Sequence, residues 1–313
     1  MALKRFVLVG VTVLTVLVSS LTAQPEFLDW SAPENLGAVI NSSSNEQGPA
    51  VSKNRLSLYF SSNRPGGVGL SDLFVSRRNS VKEPWGTPVN LGQVVNSIAD
   101  DTSPNISRDG HWLFFMSRRA GSLPNAQGVV GFDIWLSYRE HVHDDFSWQP
   151  PVHLEPPVNS PSFDQSPFFV DNDEVGVPQL FFTRTTPATG NDILVSNLLA
   201  DGTFGAPIPI SELNSPLSDA GSSIRFDALE VVFFSRRPGG FGNSDLWTAT
   251  RNTPLDLWST PVNLGAVVNS AALDFDPHLD SSREVLYFTS DRPGGSGGQD
   301  LYVTTRTKAK PSR

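Results

Sequence analysis

The chain has 313 residues, of which 23 are basic and 32 acidic, so its formal net charge is −9, and it contains no cysteine. Surfaces that bind nucleic acids are normally basic, so this balance argues against a nucleic-acid partner. The lack of cysteine excludes disulfides, thiolate metal sites and a lipid-modified N-terminal cysteine. Glycine and proline, 25 of each, fit a fold with many turns.

Residues 1–23 have the features of a secretory signal peptide. Lys4 and Arg5 precede the apolar run Phe6–Val18, and Leu-Thr-Ala ends at Ala23. The run is shorter than the about 20 residues that a membrane-spanning helix needs. We therefore expect an exported protein, periplasmic or secreted, with no membrane span after cleavage.

The rest of the chain is built from five copies of one repeat. Each copy opens on an aromatic residue and continues with a proline, a leucine or isoleucine, and an Asn-Ser pair. The opening residues are Trp30, Trp85, Trp148, Phe204 and Trp258. Repeats of about 40–50 residues with several short strands are typical of β-propellers, in which each copy forms one four-stranded blade. The sequence therefore predicts one domain, a five-bladed β-propeller over residues 24–306, followed by a polar tail at 307–313.

The strands can be placed within the last copy. Glu284–Phe288 and Leu301–Thr305 are rich in β-branched and aromatic residues and flank an Arg-Pro-Gly-Gly turn. Phe275–Leu279 contains Pro277, which cannot donate to a ladder, so we expect this run to be an edge strand beside the central channel. The chain begins with an outer-strand segment, Trp30–Ile40, and ends after a third strand. The N-terminal strand should therefore complete the last blade.

The repeat resembles the WD-like propeller repeats of the Pro-Asp type. The resemblance rests on Asp-x-x-Pro-x-x-Ser-x-Asp-Gly-x-x-Leu-Phe-Phe at Asp101–Phe115, on Ser-x-Arg-Pro-Gly-Gly and on Asp-Leu-Tyr/Trp. Such repeats occur in the periplasmic Tol–Pal translocation protein, which has six blades and an additional N-terminal domain. This chain has room for neither, so binding of Pal is not implied. The third copy also departs from the pattern, with Thr185-Thr186-Pro187 in place of Arg-Pro-Gly-Gly.

Two sets of repeated acids are candidates for structural or metal-binding roles. An aspartate opens each third strand, where a carboxylate can accept hydrogen bonds from turn amides, and a structural role is expected; these are Asp72, Asp133, Asp192, Asp245 and Asp300. A second set precedes each inner strand, where closure would bring it to one mouth of the channel; it is Glu46, Asp101, Asp164, Asp219 and Asp274. Structural hydrogen bonding is one prediction for this set, and a calcium ion is the other.

Positions at which the copies differ are better candidates for a ligand site. Asp274, Asp276 and His278 would share one side of an extended inner strand, near Asp101 and Asp164. The alternative is that Asp276 caps a turn and that His278 is solvated. The second copy carries two insertions, at Ala120–Gly131 and Glu140–Phe146, and the latter contains His141, His143, Asp144 and Asp145. These side chains could bind a metal or simply be solvated.

Three functions are compatible with these patterns. The near-uniform copies and the lack of a distinct catalytic motif favour a non-catalytic platform that binds a protein or glycan at one propeller face. The alternatives are a glycan-active enzyme that uses inner-strand carboxylates, with Asp101, Asp164 and Asp274 as first candidates, and a cation-dependent lectin.

Overall fold

A computed structural model describes residues 27–125, 127–171 and 176–309. The predicted signal peptide and the end of the polar tail lie outside these ranges. The described residues form twenty β-strands in five four-stranded antiparallel sheets. They contain no helix with the length and hydropathy needed to span a bilayer. The prediction of an all-β, five-bladed propeller is confirmed.

Each blade runs from an inner to an outer strand, and the first four are continuous in sequence. Blade 1 is β2 Glu46–Val51, β3 Ser57–Ser62, β4 Asp72–Arg77 and β5 Val89–Asn90; blade 2 is β6 Asp101–Ile106, β7 Trp112–Ser117, β8 Asp133–Tyr138 and β9 Val152–His153; blade 3 is β10 Asp164–Val170, β11 Gln179–Thr186, β12 Gly190–Asn197 and β13 Ile208–Pro209; blade 4 is β14 Asp219–Ile224, β15 Glu230–Ser235, β16 Asp245–Thr250 and β17 Val262–Asn263.

Blade 5 joins the two ends of the chain, as predicted. It contains β18 Asp274–Leu279, β19 Val285–Ser290 and β20 Asp300–Thr305, and its outer strand is β1 Glu34–Asn35. The pairing places Glu34 opposite Val303. Since antiparallel pairing with β1 covers the outer edge of β20, the ring closes through the sheet itself.

The core lies between neighbouring blades. The second and third strands carry apolar side chains on both faces, and several phenylalanines are fully buried; these include Phe60, Phe115, Phe182, Phe233 and Phe288. Each apolar cluster combines residues of adjacent blades, as where Phe114 stacks on Phe169 at 4.9 Å between ring centroids. A single blade could not bury both faces, so the five copies stabilise one another.

The repeated asparagine fixes the outer segment of each blade to the third strand. Asn96 donates from Nδ2 to the carbonyl of Leu73 at 3.0 Å, and its Oδ1 accepts from the Leu73 amide at 2.8 Å. The same pair of bonds recurs in the other blades, so the asparagine side chain acts as one residue of a strand ladder. This accounts for the recurrence of Asn-Ser at one position in every copy.

A stacked arginine and tryptophan close the outer end of four blades. The guanidinium carbons of Arg78, Arg139, Arg251 and Arg306 lie 4.0, 4.3, 4.1 and 4.4 Å from the ring centroids of Trp85, Trp148, Trp258 and Trp30. Each arginine also donates from Nε to a carbonyl in the turn after the inner strand. In blade 3 the pair is replaced by Leu198 and Phe204, which line an apolar cavity of about 250 Å³.

Candidate functional site

The five acids before the inner strands are each fully buried and paired with an arginine of their own blade. Asp101, for example, accepts hydrogen bonds from the Ser97 amide and hydroxyl and from the Ser117 hydroxyl, and it lies 2.5 Å from Arg119 Nη2. The other pairs are Glu46–Arg64, Asp164–Arg184, Asp219–Arg237 and Asp274–Arg292, at 3.0, 2.7, 2.6 and 2.5 Å. These carboxylates therefore already have cationic partners inside the blades.

Blade 3 keeps this ion pair although its turn sequence differs. Arg184 lies within β11, directly opposite Asp164, whereas the arginines of the other copies lie two residues after the end of their second strand. It still donates to Asp164 and to the carbonyl of Val158. Burial of the Asp164 carboxyl raises its pKa by more than the charge and hydrogen bond of Arg184 lower it, and the resulting pKa is about 6. Arg184 was not predicted from the sequence, because the turn that marks the arginine in the other copies is replaced by Thr185-Thr186-Pro187 in blade 3.

The aspartates that open the third strands bind the preceding turn. Asp72 accepts hydrogen bonds from the amides of Val68 and Gly69 and from Asn90 Nδ2 at 2.8 Å. A Cβ atom on Gly67 would lie 2.3 Å from the Asp72 carboxylate, so the turn requires glycine there. The Asp245 and Asp300 carboxylates bind equivalent groups, whereas Asp133 pairs with His153 and Asp192 with Thr189.

The expectation that Asp274, Asp276 and His278 share one side of their strand is wrong. The register of β18 shifts between Phe275 and His278, and Asp276 has a φ of +47°. This bulge places His278 on the face of Phe275, opposite Asp274. Asp274 is held by Arg292 inside the blade, so only Asp276 and His278 remain near the channel.

His278 links blade 5 to blade 1. Its Nε2 accepts a hydrogen bond from the Val51 amide at 3.0 Å, and burial lowers the pKa of the imidazole to about 4, so the ring is neutral at ordinary pH. Asn105 and Ser223 occupy the same position in blades 2 and 4 and accept from the amides of Phe169 and Leu279. The role of His278 as an acceptor for the next inner strand was not foreseen, because the sequence does not show the register between blades.

Asp276 is the one acid in a ring of five positions with positive φ. The third residue of every inner strand has this conformation, and the five are Gly48, Ser103, Ser166, Gly221 and Asp276. They line the central channel, whose cavity of about 30 Å³ has room for about two waters. The described residues place no hydrogen-bond or charge partner on the Asp276 carboxyl, and burial raises its pKa to about 7.

A second cavity lies where the inner strands end, and we call it the mouth. It has a volume of about 70 Å³, room for about five waters, and it shares Phe168 and His278 with the channel. Its charged and aromatic lining residues are Lys53, Arg108, Phe168, Phe169, Asp171, Phe226, His278 and Asp280. Arg108 stacks at 4.7 Å from the centroid of Phe226. Asp280 lies 2.6 Å from Arg55, and burial raises the pKa of its carboxyl.

The insertion Glu140–Phe146 joins blade 2 to blade 1. Asp145 is buried, lies 2.7 Å from Arg139 Nη1 and 2.6 Å from Arg77 Nε, and accepts hydrogen bonds from Ser57 and Tyr59. Burial acts to raise the pKa of Asp145, but these donors outweigh it and hold the pKa below its ordinary value. His141, His143 and Asp144 are exposed. Within the described ranges, no group of three or more acidic or histidine side chains is arranged to hold a metal.

Comparisons with solved structures identify this architecture elsewhere. An α-L-arabinofuranosidase from Lactobacillus brevis has a TM-score of 0.60 at 11% identity, over 88% of this chain and 93% of that one. A GH62 hydrolase in complex with xylotriose has a TM-score of 0.59 at 10% identity, over 90% and 98%. TolB from Acinetobacter baumannii has a TM-score of 0.51 at 11% identity, over 89% of this chain and 63% of that one. No family model and no curated protein sequence matches.

At these identities the likeness establishes the fold, a five-bladed propeller. It also corrects the favoured functional prediction. The non-catalytic platform was chosen because the copies are nearly uniform, yet the similar structures are mainly glycoside hydrolases, including arabinofuranosidases and an arabinanase. The glycan-active alternative fits these findings better.

Proposed function

We propose that this protein is a glycan-active enzyme that hydrolyses a terminal sugar bound at the mouth. The observation that carries the proposal is Asp276, a carboxyl with a pKa near 7 in a channel that meets the mouth at Phe168 and His278. Glycoside hydrolysis needs one carboxyl that is protonated at working pH and one that is ionised. Support also comes from bound oligosaccharides in two proteins of this fold, xylotriose in one and cellotriose in another.

The mouth supplies groups suited to a sugar. Phe168 and Phe226 are partly exposed, and their ring faces can pack against the C–H side of a pyranose or furanose. The cavity is small, about 70 Å³, which favours the end of a glycan over its interior. Asp276 would deliver its proton through a channel water, and Asp171, at the rim, would act as the base that activates a second water.

The same carboxyls that the sequence put first for catalysis are poorly placed for it. Asp101, Asp164 and Asp274 are fully buried and bonded to Arg119, Arg184 and Arg292. A proton donor or nucleophile must reach the substrate directly or through one water. We therefore assign Asp276 as donor and leave these three to the structure of the blades.

The test is hydrolysis of a panel of aryl glycosides and arabino- and xylo-oligosaccharides by the parent and by Asp276→Asn. Loss of a general acid should lower kcat by about 100-fold or more, while the substitution of an exposed acid, Glu155→Gln, should leave kcat unchanged. The parent should also lose activity as the pH rises through about 7, where Asp276 deprotonates. Turnover by Asp276→Asn at the parent rate, or a parent that cleaves no glycoside in the panel, would overturn the proposal.

We also propose that the chain is exported and that its repeats belong to the Pro-Asp group of WD-like repeats. Export is supported by the charged start, the short apolar run and Leu-Thr-Ala before residue 24. Intact-mass analysis of protein from the native host should show a chain that begins after Ala23. The repeat assignment is supported by the proline at the fourth position of four inner strands and by TolB among the proteins of similar fold.

A further inference from the structure

Two departures from five-fold symmetry form a groove on the face opposite the mouth. The groove has a volume of about 380 Å³, and we call it the blade 2–3 groove. It is lined by Asn125, Gln127, Pro161, Ser162, Phe163, Thr185, Thr186 and Pro187. Phe163 directly precedes β10, whereas the mouth residue Asp171 directly follows it, so the seven residues of β10, about 20 Å of strand, separate the two sites.

Both walls of the groove come from segments that break the repeat. One wall is the insertion Ala120–Gly131, and the other is the β11–β12 hairpin, where Thr185-Thr186-Pro187 replaces Arg-Pro-Gly-Gly. In the described part of the insertion, a short bridge joins Pro124 to Val130, and the Asn125 side chain accepts from the amides of residues 127 and 129. Neither segment is needed to close a blade, because the other copies close without it.

The floor of the groove is fitted around one aromatic ring. A Cβ atom on Gly131 would lie 1.9 Å from Cδ1 of Phe163, so glycine lets the ring lie directly against the insertion. The other wall is attached to the floor through the Thr185 amide, which donates to the Phe163 carbonyl at 2.9 Å. Gln165 donates to the Thr185 hydroxyl, which in turn donates to Asn191. The groove is therefore built in advance of any ligand.

The chemistry of the lining selects an uncharged, hydroxyl-rich ligand. None of the eight lining residues is ionisable, although 18% of the chain is charged. Amide and hydroxyl side chains can donate to and accept from sugar hydroxyls, and a partly exposed phenylalanine between two prolines provides a flat apolar surface for the C–H face of a sugar. A volume of about 380 Å³ suits a ligand of two or three sugar rings.

We infer that the blade 2–3 groove is a second glycan-binding site, specific for a neutral oligosaccharide and separate from the mouth. Phe163 stacks on one sugar ring, and Asn125, Gln127, Thr185 and Thr186 bind its hydroxyls. A protein that holds a polymer at one face and acts on chain ends at the other would remain attached to its substrate between cleavage events. The groove would thus raise the local concentration of glycan around the enzyme.

Binding of xylotriose, cellotriose and a triuronate to the full chain, measured by isothermal titration calorimetry, tests the inference. A neutral trisaccharide should bind the parent, Phe163→Ala should weaken its binding at least tenfold, and Phe163→Trp should retain it. Phe241→Ala is the matched control, because Phe241 is an exposed phenylalanine, 50% accessible, that lies outside the groove. Its binding should equal that of the parent.

The variants also separate the two sites. Asp276→Asn should bind the neutral trisaccharide as the parent does, and Phe163→Ala should cleave small aryl glycosides at the parent rate. The inference is overturned if neither neutral trisaccharide binds, if Phe163→Ala binds as tightly as the parent, or if the triuronate binds in preference. None of these results bears on the proposed hydrolysis at the mouth, which the glycoside assay tests separately.

Discussion

At the scale of single residues, Asp276 and His278 show how burial sets charge in the channel. Both are titratable, and the described residues provide neither with an ionic partner, so burial favours the neutral form of each. Burial raises the pKa of Asp276 to about 7 and lowers that of His278 to about 4. The two residues therefore affect stability in opposite directions as the pH changes.

The free energy of unfolding should depend on pH through these two residues. The folded chain holds the Asp276 proton more tightly than the unfolded chain, so this contribution to stability is lost as the pH rises from about 4 through 7. The folded chain resists protonation of His278, so that contribution is lost as the pH falls from about 6.5 through 4. Urea denaturation at pH 4–8 should show that Asp276→Asn gains stability over the parent up to pH 7, by ~4 kcal/mol at most.

A control and a contrary result are available for this experiment. The exposed substitution Glu155→Gln should follow the parent curve at every pH. A difference between Asp276→Asn and the parent that does not change between pH 4 and 7 would show that Asp276 titrates as an ordinary carboxyl. In that case its assignment as a proton donor would lose its physical basis.

The sequence indicated which residue types recur in the blades more reliably than it indicated which way each side chain points. The recurrence of an acid at the start of every inner strand was visible in the sequence, and so was the proline three residues later in four of the copies. The direction of the Asp276 side chain was not visible in the sequence. A single residue with positive φ reverses the alternation of side chains between the two faces of the strand, and an aspartate is not a strong signal for that conformation. Gly48 and Gly221 occupy the same position in two other copies, and this coincidence was the available signal.

At the scale of strands and turns, blade 3 differs from the other four blades because it lacks the Arg–Trp pair at its outer end. The Arg–Trp pair covers the outer end of a blade and holds the turn after its inner strand, whereas Leu198 and Phe204 make neither contact and leave an apolar cavity. Van der Waals contacts are lost along the lining of such a cavity. Blade 3 should therefore be the least stable blade at its outer end.

Restoring the pair should stabilise the protein. The double substitution Leu198→Arg with Phe204→Trp occupies part of the cavity of about 250 Å³ and adds a cation–π contact, and we expect a gain of about 0.5–2 kcal/mol in the free energy of unfolding. Thermal and urea denaturation measure the change. Leu198→Arg alone should gain less, since its guanidinium would lack the indole. A double variant less stable than the parent would show that blade 3 cannot accept the packing of its neighbours.

The elements themselves were largely predictable. Strand positions followed from β-branched and aromatic runs bounded by glycine and proline, and β19 and β20 differ from the expected Glu284–Phe288 and Leu301–Thr305 only at their ends. The outer segments were overestimated, because Trp30–Ile40 contributes only the two-residue strand Glu34–Asn35. Trp30 packs on Arg306 outside the sheet, at the other end of the chain, so this contact has no local signal in blade 5.

At the scale of the whole molecule, the ring depends on one joint between the ends of the chain. The Leu36 amide donates to the Leu301 carbonyl at 3.0 Å, and Asn35 Nδ2 donates to Asp300 at 2.9 Å. Arg306 stacks on Trp30 and forms two hydrogen bonds, of 2.7 and 2.6 Å, with the buried Glu230 of blade 4. The order of the repeats predicted this joint, whereas the Arg306–Glu230 pair required knowledge of which blades meet.

Removing the first outer strand should open the ring. A chain that lacks residues 24–36 exposes the edge of β20 and uncovers Tyr302 and Leu301, which are buried in the intact protein. We expect a loss of several kcal/mol in the free energy of unfolding, because a strand, an indole stack and the Asn35–Asp300 hydrogen bond are lost together. We also expect aggregation that increases with protein concentration, because an unpaired edge can add a strand from another molecule. Differential scanning calorimetry and light scattering measure the two effects. Glu34→Ala provides the control, since Glu34 is exposed and the change keeps the strand, and it should alter the melting temperature little. If the shortened chain melted at the parent temperature and stayed monomeric, the contacts between blades would be sufficient to hold the ring without its joint.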